Sequence, residues 1–470
     1  MSKSIPSKTA ASVPDNERQS NQHIHSFSKD SVGKLYLKLS VAMAIGMLIN
    51  GMYSLVDAYF IGTYVGPIEF AAVSTVFPIQ MLQIAFAALI SSGASILVSR
   101  YLGSGDNSQL KTCVISGVVL ILMLSLFMAL LLIGGEQTVL PLIGVTPSLL
   151  PLAVTYYVPL VAGSALIFLL FFTSDLLRAY SNMKGLLNVI LLGALTNVVL
   201  DWLFIATLHW GLAGAAYATL ISQALGVCLA IKLLGLKRYD FANLSVDLGG
   251  IGKQIRLILG LGLPALSTYL GAALVVGSVN HLLATYGTLD IANWIGAYGL
   301  LGRLNVFCIL PLIAITNACQ TIVSYNYGAA EFNRVDNAIK LGLVIAMVYL
   351  LVVALGLITF AGNIAGLFTD DDQLKSTVAK IASIMFLLMP LAGLSGITVA
   401  GLQSTNRPKQ AMLLSFAKIY LVLVPALFLL TQWVDVTALW YAFPIAELVM
   451  LPFLVLSAVT MIRRVRQQAC

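Results

Sequence analysis

The sequence predicts an all-α integral membrane protein whose twelve transmembrane helices form two pseudo-symmetric six-helix lobes. Its 470 residues are 59% hydrophobic and only 10% charged, whereas soluble proteins carry about 25% charged residues. Apolar stretches of roughly 18 or more residues, long enough to cross a bilayer, recur almost evenly along the chain. This spacing indicates a multi-pass protein rather than a soluble domain with one membrane anchor.

The predicted spans are twelve apolar stretches, each bounded by polar or basic residues. In chain order they cover residues 36–61, 70–98, 112–134, 151–179, 186–207, 211–234, 255–283, 290–325, 338–361, 378–402, 411–431 and 436–462. The stretch at 290–325 is longer than a bilayer requires, so we expect its helix to extend beyond the membrane. The segment "GSGDN" at 103–107 is predicted to be a turn between helices rather than a phosphate-binding loop.

Polar segments divide the chain. The first 33 residues are rich in Ser, Asn, Gln and Lys and lack the apolar core of a secretory signal, so we expect a disordered tail. The predicted divisions are a cytoplasmic tail at 1–33, an N-lobe at 34–235 with spans one to six, a cytoplasmic inter-lobe loop at 236–254, a C-lobe at 255–462 with spans seven to twelve, and a basic C-terminal tail at 463–470.

The basic residues orient these spans. Of the 26 Lys and Arg, 22 lie in the N-terminal tail, in every second loop and at the C-terminus, and the remaining loops hold almost none. Cytoplasmic loops carry the excess of positive charge in membrane proteins. Both termini are therefore predicted to be cytoplasmic, and an even number of spans agrees with that.

The two halves of the chain resemble each other weakly. With a shift of 225 residues, "LVSRYLGSGDN" at 97 aligns with "IVSYNYGAAEF" at 322, with matching Val, Ser and Gly. Two six-helix lobes in parallel repeat are typical of transporters, in which the substrate path runs between the lobes. The alternative interpretation is a chance similarity of apolar segments.

Four acidic residues fall well inside predicted spans, where ionisable groups are costly and are functional candidates by default. They are Asp57, Asp175, Asp201 and Glu447. Asp57 and Asp201 lie at similar depth, because the first and fifth spans both run outward. Asn197 precedes Asp201 by four residues, so both project from one helix face. These oxygens suit a proton or a hard cation such as Na⁺; the alternative is a permanently hydrogen-bonded structural network.

The other two acids have nearby cations. Arg178 follows Asp175 by three residues near the inner end of the fourth span, which predicts an interfacial ion pair. Glu447 and Arg303 both lie about midway along their spans in the C-lobe. We expect these two to neutralise one another as a structural ion pair, with Lys418 as another possible partner for Glu447.

Several other chemistries are excluded or unsupported by the sequence. It contains no GxxxxGK[ST] segment for ATP and neither HExxH nor GxSxG. The five cysteines form no CxxC pair, which favours packing over redox work. "HIH" at 23–25 has no further ligand nearby, so we expect no resident metal or cofactor. The net charge of +7 follows from the basic loops and does not imply a nucleic-acid partner.

Four segments carry a resemblance to a known family. "VDAYFIG" in the first span, "LRAYSNMK" after the fourth, "NVVLDWLFI" in the fifth and "GLAGAAYAT" at 211–219 resemble the multidrug and toxic compound extrusion (MATE) family in order and spacing. The likeness covers about residues 34–462. The seventh and tenth spans carry no acid, which favours the DinF-like branch over the branch with C-lobe acids.

The resemblance implies a function and a site. Members are antiporters of the cell inner membrane that export organic, often cationic, compounds, driven by inward H⁺ or Na⁺; we expect a monomer in contact with membrane lipid. The essential N-lobe acids of the DinF-like branch match Asp57 and Asp201. Asn197 matches the amide of the fifth span, Thr219 a hydroxyl of the sixth, and Tyr156 a nearby tyrosine. If Na⁺ is the coupling ion, the resemblance places it among the first four of these side chains.

The sequence also departs from the family pattern. Ser174 and Asp175 stand where asparagines are common, so they are accessory candidates, and "KLSVAMAIGM" lacks the usual proline of the first span. A lipid-linked saccharide flippase of the same superfamily is the nearest alternative, but it would need several cations in its cavity, and only Arg303 and Lys418 are available. A membrane enzyme would need clustered His or paired Asp at the membrane face, and a non-transporting receptor is the last alternative.

Overall fold

The computed structural model describes residues 27, 30–143, 145–235, 248–286, 291–367 and 370–469. The expectations for the tail before Phe27, for the "HIH" segment and for the middle of the inter-lobe loop therefore lie outside the described residues. The described part of the chain is helical and contains no β-strand.

The described residues form ten helices long and apolar enough to cross a membrane, and two bent helix pairs that each make one further span. In order they are α1 (Val32–Val65), α2 (Phe77–Ser104), α3 (Asn107–Gly134), α4 (Leu150–Ala162 with Ser164–Ala179), α5 (Met183–Thr207), α6 (Gly211–Leu234), α7 (Gly249–Tyr286), α8 (Asn293–Gly328), α9 (Phe332–Ala365), α10 (Asp372–Met385 with Pro390–Ser404), α11 (Pro408–Trp433) and α12 (Val436–Ala469). The predicted set of twelve spans is confirmed.

The two bends have local causes. In α4 the segments meet at 49° around Gly163, one turn after Pro159, which cannot donate its backbone hydrogen bond. A side chain on Gly163 would collide with Leu220 of α6, so the bend also lets α6 approach closely. In α10 the angle is 48°, and Pro390 opens the second segment, which disfavours helix in the residue before it.

The buried side chains form two clusters that correspond to the two halves of the chain. The beginning of the first helix of each half, however, is buried in the cluster of the other half. The start of α1, with Leu35 and Tyr36, is buried in the cluster built mainly from α8–α12. The start of α7, with Ile258 and Leu261, is buried in the cluster built mainly from α2–α5. The first helix of each half therefore packs its beginning against the other half, as an internal repeat of about 225 residues would produce.

The same repeat is visible where α2 meets α8. A Cβ on Gly103 would collide with the carbonyl oxygen of Tyr325, and a Cβ on Gly328 would collide with the carbonyl oxygen of Arg100. Small residues let helix backbones approach this closely in membranes. Gly103 and Gly328 occupy equivalent positions in the two halves, so the contact is pseudo-symmetric.

A second close approach joins α2 to α7. A Cβ on Gly93 would collide with the carbonyl oxygen of Ile258, and one on Gly262 with that of Leu89. We call the end of the bundle formed by the turns 105–106, 329–331 and 405–407 the basic end. These helix crossings lie in the half of the molecule nearer the basic end, so the two lobes are packed backbone to backbone there.

Candidate functional site

The carboxyl groups of Asp57 on α1 and Asp201 on α5 lie within hydrogen-bonding reach of each other. Asp201 is fully buried, and Asp57 is half-buried. Ionised carboxylates only accept hydrogen bonds, so the two groups can make this contact favourably only with a proton or a cation between them. The structure thus brings together the two acids that depth along the spans had paired.

Each of these acids lies within one turn of a change of helix type, Asp201 directly before it and Asp57 four residues before it. α1 is an α-helix to Phe60 and a π-helix over Ile61–Val65. α5 is an α-helix to Asp201 and a π-helix over Trp202–Thr207. The two π-helical segments pack against each other. Such segments are rare and are frequently found at functional sites; nothing in the sequence pattern had indicated them.

Asn197 completes a buried set of polar atoms one turn before Asp201. Its amide nitrogen and oxygen are buried, and no hydrogen-bond partner for either is found among the described residues. Apart from the contact between the two acids, the same holds for both oxygens of Asp201 and for Oδ1 of Asp57. Buried polar atoms without partners are costly, and oxygens gathered in this way are suited to hold a proton or a hard cation.

Tyr156 also belongs to this site, on the first segment of α4. Its side chain is buried, and its hydroxyl accepts a hydrogen bond of 3.1 Å from Nε2 of Gln80 on α2. The hydroxyl is close enough to Asp57 and Asp201 to interact electrostatically with both. Gln80 had not been predicted, although a glutamine inside the apolar segment "FPIQMLQIAF" is a signal that could have found it.

Thr219 is less directly connected to the site. It lies on α6, which packs against α5, and its side chain is half-buried. Its backbone carbonyl accepts a hydrogen bond of 2.8 Å from Ser222. No contact between its hydroxyl and the two acids is found among the described residues, so its role in the site stays a prediction.

The expected ion pair between Asp175 and Arg178 is confirmed, with 3.0 Å between Nη2 and Oδ1. Arg178 is also buried and reaches into the other lobe. Its Nη1 donates to the carbonyl oxygen of Asn317 at 2.9 Å and to the hydroxyl of Thr321 at 2.8 Å, both on α8. The pair is thus part of the contact between the lobes, and Ser174 beside it is half-buried.

The expected pairing of Arg303 with Glu447 is wrong. Oε1 of Glu447 on α12 lies 2.6 Å from Nζ of Lys418 on α11, whereas Arg303 is exposed on α8. The physical reason is helix adjacency: Lys418 lies in a π-helical segment of α11, Ala417–Leu423, that packs directly on α12. Depth along the spans could not decide whether Arg303 or Lys418 is the partner of Glu447.

The described residues contain no cluster of three or more His, Cys, Asp and Glu side chains arranged to hold a metal ion. Any cation at the Asp57 and Asp201 pair would therefore be bound by two carboxyl groups together with amide, phenol or backbone oxygens. Such a mixed set resembles the oxygen ligands of a weakly held, exchangeable cation more than those of a structural metal.

Comparisons with known proteins all match this chain to membrane transporters. The profile of the MatE family matches residues 42–203 and 249–429. The chain is 24% identical over 434 residues to the multidrug export protein MepA of Staphylococcus aureus (strain bovine RF122 / ET3-1), covering 91% of this chain and 93% of that one. It is 25% identical over 435 residues to the FAD transporter of Shewanella oneidensis, covering 91% and 94%.

The fold is also similar to that of a solved structure described as the outward-facing conformation of a multidrug resistance MATE family transporter of the MOP superfamily. The two share a TM-score of 0.84 at 23% identity, over 95% of this chain and 98% of that one. At this level of identity the likeness concerns the arrangement of the helices.

Proposed function

Because this chain belongs to the MATE family of membrane transporters, and is a transporter rather than an enzyme, we propose that it is an antiporter. It exports organic, often cationic, compounds in exchange for H⁺ or Na⁺ that enters through the N-lobe carboxyl groups. Relatives named for multidrug export support the export of drugs or toxic compounds. The carboxyl site is inferred from this chain's own residues, which suit either H⁺ or Na⁺.

The observation that carries the proposal is the contact between Asp57 and Asp201. When both groups are ionised they repel each other, and the repulsion is strong where water is scarce. A proton or Na⁺ removes it, with Asn197 supplying a further oxygen and Tyr156 a hydroxyl. Binding of the ion therefore favours a different arrangement of α1 and α5 from the one that the empty, charged pair favours.

Coupling follows if the substrate and the ion favour different arrangements of the two lobes. A ligand shifts such an equilibrium only by its difference in affinity for the two states. A cationic substrate is attracted by the ionised pair, and the loaded pair no longer attracts it. Ion loading therefore lowers the affinity for the substrate, and by reciprocity the substrate lowers the affinity for the ion.

We infer that the basic end faces the cytoplasm and that the protein lies in the inner membrane as a monomer with both termini cytoplasmic. The lobes are packed closely at this end by the glycine contacts of α2 and by Arg178. Asp57 and Asp201 lie toward the opposite end of their helices. In this arrangement the pair is reached from outside the cell, where the coupling ion is taken up and the substrate is released.

Export of anionic compounds is a second candidate, which Arg303 favours. Phe307, one turn further along α8, lies against Gly51 of α1, so Arg303 on the same face points toward the region between the lobes. It is exposed and makes no ion pair with the described residues. The relative named FAD transporter fits this candidate. A saccharide flippase is less well supported, because Glu447 neutralises Lys418.

The test uses purified protein in liposomes, loaded with a fluorescent organic cation or with FAD. A pH gradient and a Na⁺ gradient are imposed separately. We expect one gradient to drive transport of the cation, and expect Asp57→Asn and Asp201→Asn each to abolish it. Asp372→Asn is the matched control, because Asp372 is 95% exposed at the start of α10. Normal gradient-driven transport by both site variants would exclude the proposed coupling.

A further inference from the structure

A basic cavity of about 310 Å³ lies at the basic end, away from the carboxyl site. It is a surface cavity bordered by the end of α8, the turn between α10 and α11, and the end of α12. Its polar lining consists of Tyr327, Thr405, Arg407, Arg464, Gln467 and Gln468. Every one of these side chains except the two arginines is neutral, and none is acidic.

Both arginines line this cavity, and they are close enough for their charges to repel each other. The burial of Arg407 and then the positive charge of Arg464 lower the pKa of the Arg407 guanidinium. No acidic partner of either arginine is found in the described part of the chain. Arg466, two residues further along α12, does have one, at 3.1 Å from Oδ2 of Asp336. On the side of α12 that faces the cavity, the positive charge of Arg464 is therefore not compensated by an acidic residue of the described chain.

A third guanidinium, from the other lobe, reaches the wall of the cavity. Arg100 of α2 lies 5.6 Å from the ring centroid of Tyr327. It also donates to the carbonyl oxygen of Ser404 at 3.1 Å and to Oδ1 of Asn406 at 3.4 Å. The aromatic ring and the turn that form the cavity are thus held by the N-lobe, although the cavity itself is lined by the C-lobe.

We propose that this cavity binds a phosphate-bearing anion, either the headgroup of an anionic phospholipid or a free phosphate compound. Arginine forms paired, charge-assisted hydrogen bonds with phosphate oxygens. Arg407 and Arg464 supply these bonds, and the hydroxyl of Thr405 and the amides of Gln467 and Gln468 supply neutral ones. The bound anion removes the repulsion between the two arginines. It lies beside the turn to which Arg100 donates hydrogen bonds, so its binding also stabilises the contact between the lobes.

Two probes distinguish the sources of the anion. Inorganic phosphate or pyrophosphate is added to the purified protein in neutral detergent, with chloride at equal ionic strength as the reference, and the thermal midpoint is measured. Separately, lipid retention is measured by native mass spectrometry after reconstitution in phosphatidylcholine with or without phosphatidylglycerol. Stabilisation by the soluble anions assigns a free phosphate compound, and selective retention of phosphatidylglycerol assigns a headgroup. The absence of both effects overturns the proposal.

The variant that tests the site is Arg407→Gln with Arg464→Gln. We expect its apparent affinity for the effective probe to fall about tenfold or more, the loss given by charged hydrogen bonds. Arg463→Gln is the matched control, because Arg463 is an exposed neighbour on α12 that does not line the cavity. Equal binding by the double variant and the wild type, or an equal loss in Arg463→Gln, overturns the proposal.

A second variant covers the case in which the double variant does not fold. Gln467→Glu introduces a carboxylate into the cavity and removes neither arginine, and Gln467 is exposed enough to tolerate the change. We expect Gln467→Glu to weaken binding of the phosphate probe as strongly as the double arginine variant does, because the new carboxylate pairs with the arginines. Unchanged binding by a folded Gln467→Glu variant contradicts the proposal independently.

Discussion

Nζ of Lys418 lies 2.6 Å from Oε1 of Glu447, and both side chains are largely buried in the C-lobe. Breaking a buried ion pair from one side leaves the other charge without a partner, and typically costs 3–5 kcal/mol, whereas replacing both partners is often neutral. We therefore expect Glu447→Gln to destabilise the protein by about 3 kcal/mol. Glu447→Gln with Lys418→Met should recover most of that loss in thermal unfolding.

Arg303→Gln is the control for this prediction, because Arg303 was the expected partner and is instead exposed. It should leave the unfolding midpoint unchanged. If the double variant is as unstable as Glu447→Gln alone, the two charges are not compensating one another in the native state.

The pair of Lys418 and Glu447 separates the features that could be predicted from the sequence from those that could not. The spans follow from local properties, because an apolar run long enough to cross a bilayer must form a helix whatever its neighbours are. Depth along a span is also local, and it brought Asp57 and Asp201 together correctly. The choice of which two helices touch depends on the packing of the whole lobe, so depth alone selected Arg303 for Glu447 instead of Lys418.

Two further features of the carboxyl site are set by packing rather than by local sequence. The π-helical segments after Phe60 and Asp201 form where α1 and α5 meet, and their residues have no composition that distinguishes them from α-helix. Gln80 differs, because a polar residue in an apolar span is visible in the sequence. However, its contact with Tyr156 on the bent α4 could not be predicted from the sequence and is seen only in the structure.

Asn197→Ala distinguishes an ion site from a structural network. The amide of Asn197 is buried and has no hydrogen-bond partner among the described residues, so its removal breaks no internal hydrogen bond. We expect the free energy of unfolding without coupling ion to change by less than about 1 kcal/mol. Gradient-driven transport should fall at least several-fold. A large loss of stability in Asn197→Ala would instead support a permanent network.

Tyr156→Phe and Tyr157→Phe form a matched pair on α4. The Tyr156 hydroxyl accepts from Gln80 beside the two acids, and the Tyr157 hydroxyl donates to the carbonyl oxygen of Leu132 at 2.7 Å, on α3. Each change removes one hydrogen bond, part-buried for Tyr156 and buried for Tyr157, and should cost about 1 kcal/mol of stability. Only Tyr156→Phe should change the H⁺ or Na⁺ concentration that gives half-maximal transport. An equal change in Tyr157→Phe would mean that the shift reflects stability alone.

Gly328→Ala and Gly103→Ala test the pseudo-symmetric crossing of α2 and α8. In each variant the new methyl group meets a backbone carbonyl oxygen, which has no flexible side chain to move aside. We expect a loss of about 1–3 kcal/mol in the free energy of unfolding, the usual cost of overpacking. Gly356→Ala is the control, because a Cβ on Gly356 meets no atom within 4 Å, and it should be neutral.

The same glycine variants should also separate the lobes at the basic end, because relieving the collision requires α2 and α8 to move apart. Spin labels at Ser108→Cys on α3 and Lys409→Cys on α11, in a protein without its native cysteines, report the distance between the lobes there. Both labelled positions are exposed. We expect Gly103→Ala and Gly328→Ala to shift the distance distribution to longer values than in Gly356→Ala. If the distributions coincide while stability falls, the strain is absorbed within each helix, and this crossing does not hold the basic end closed.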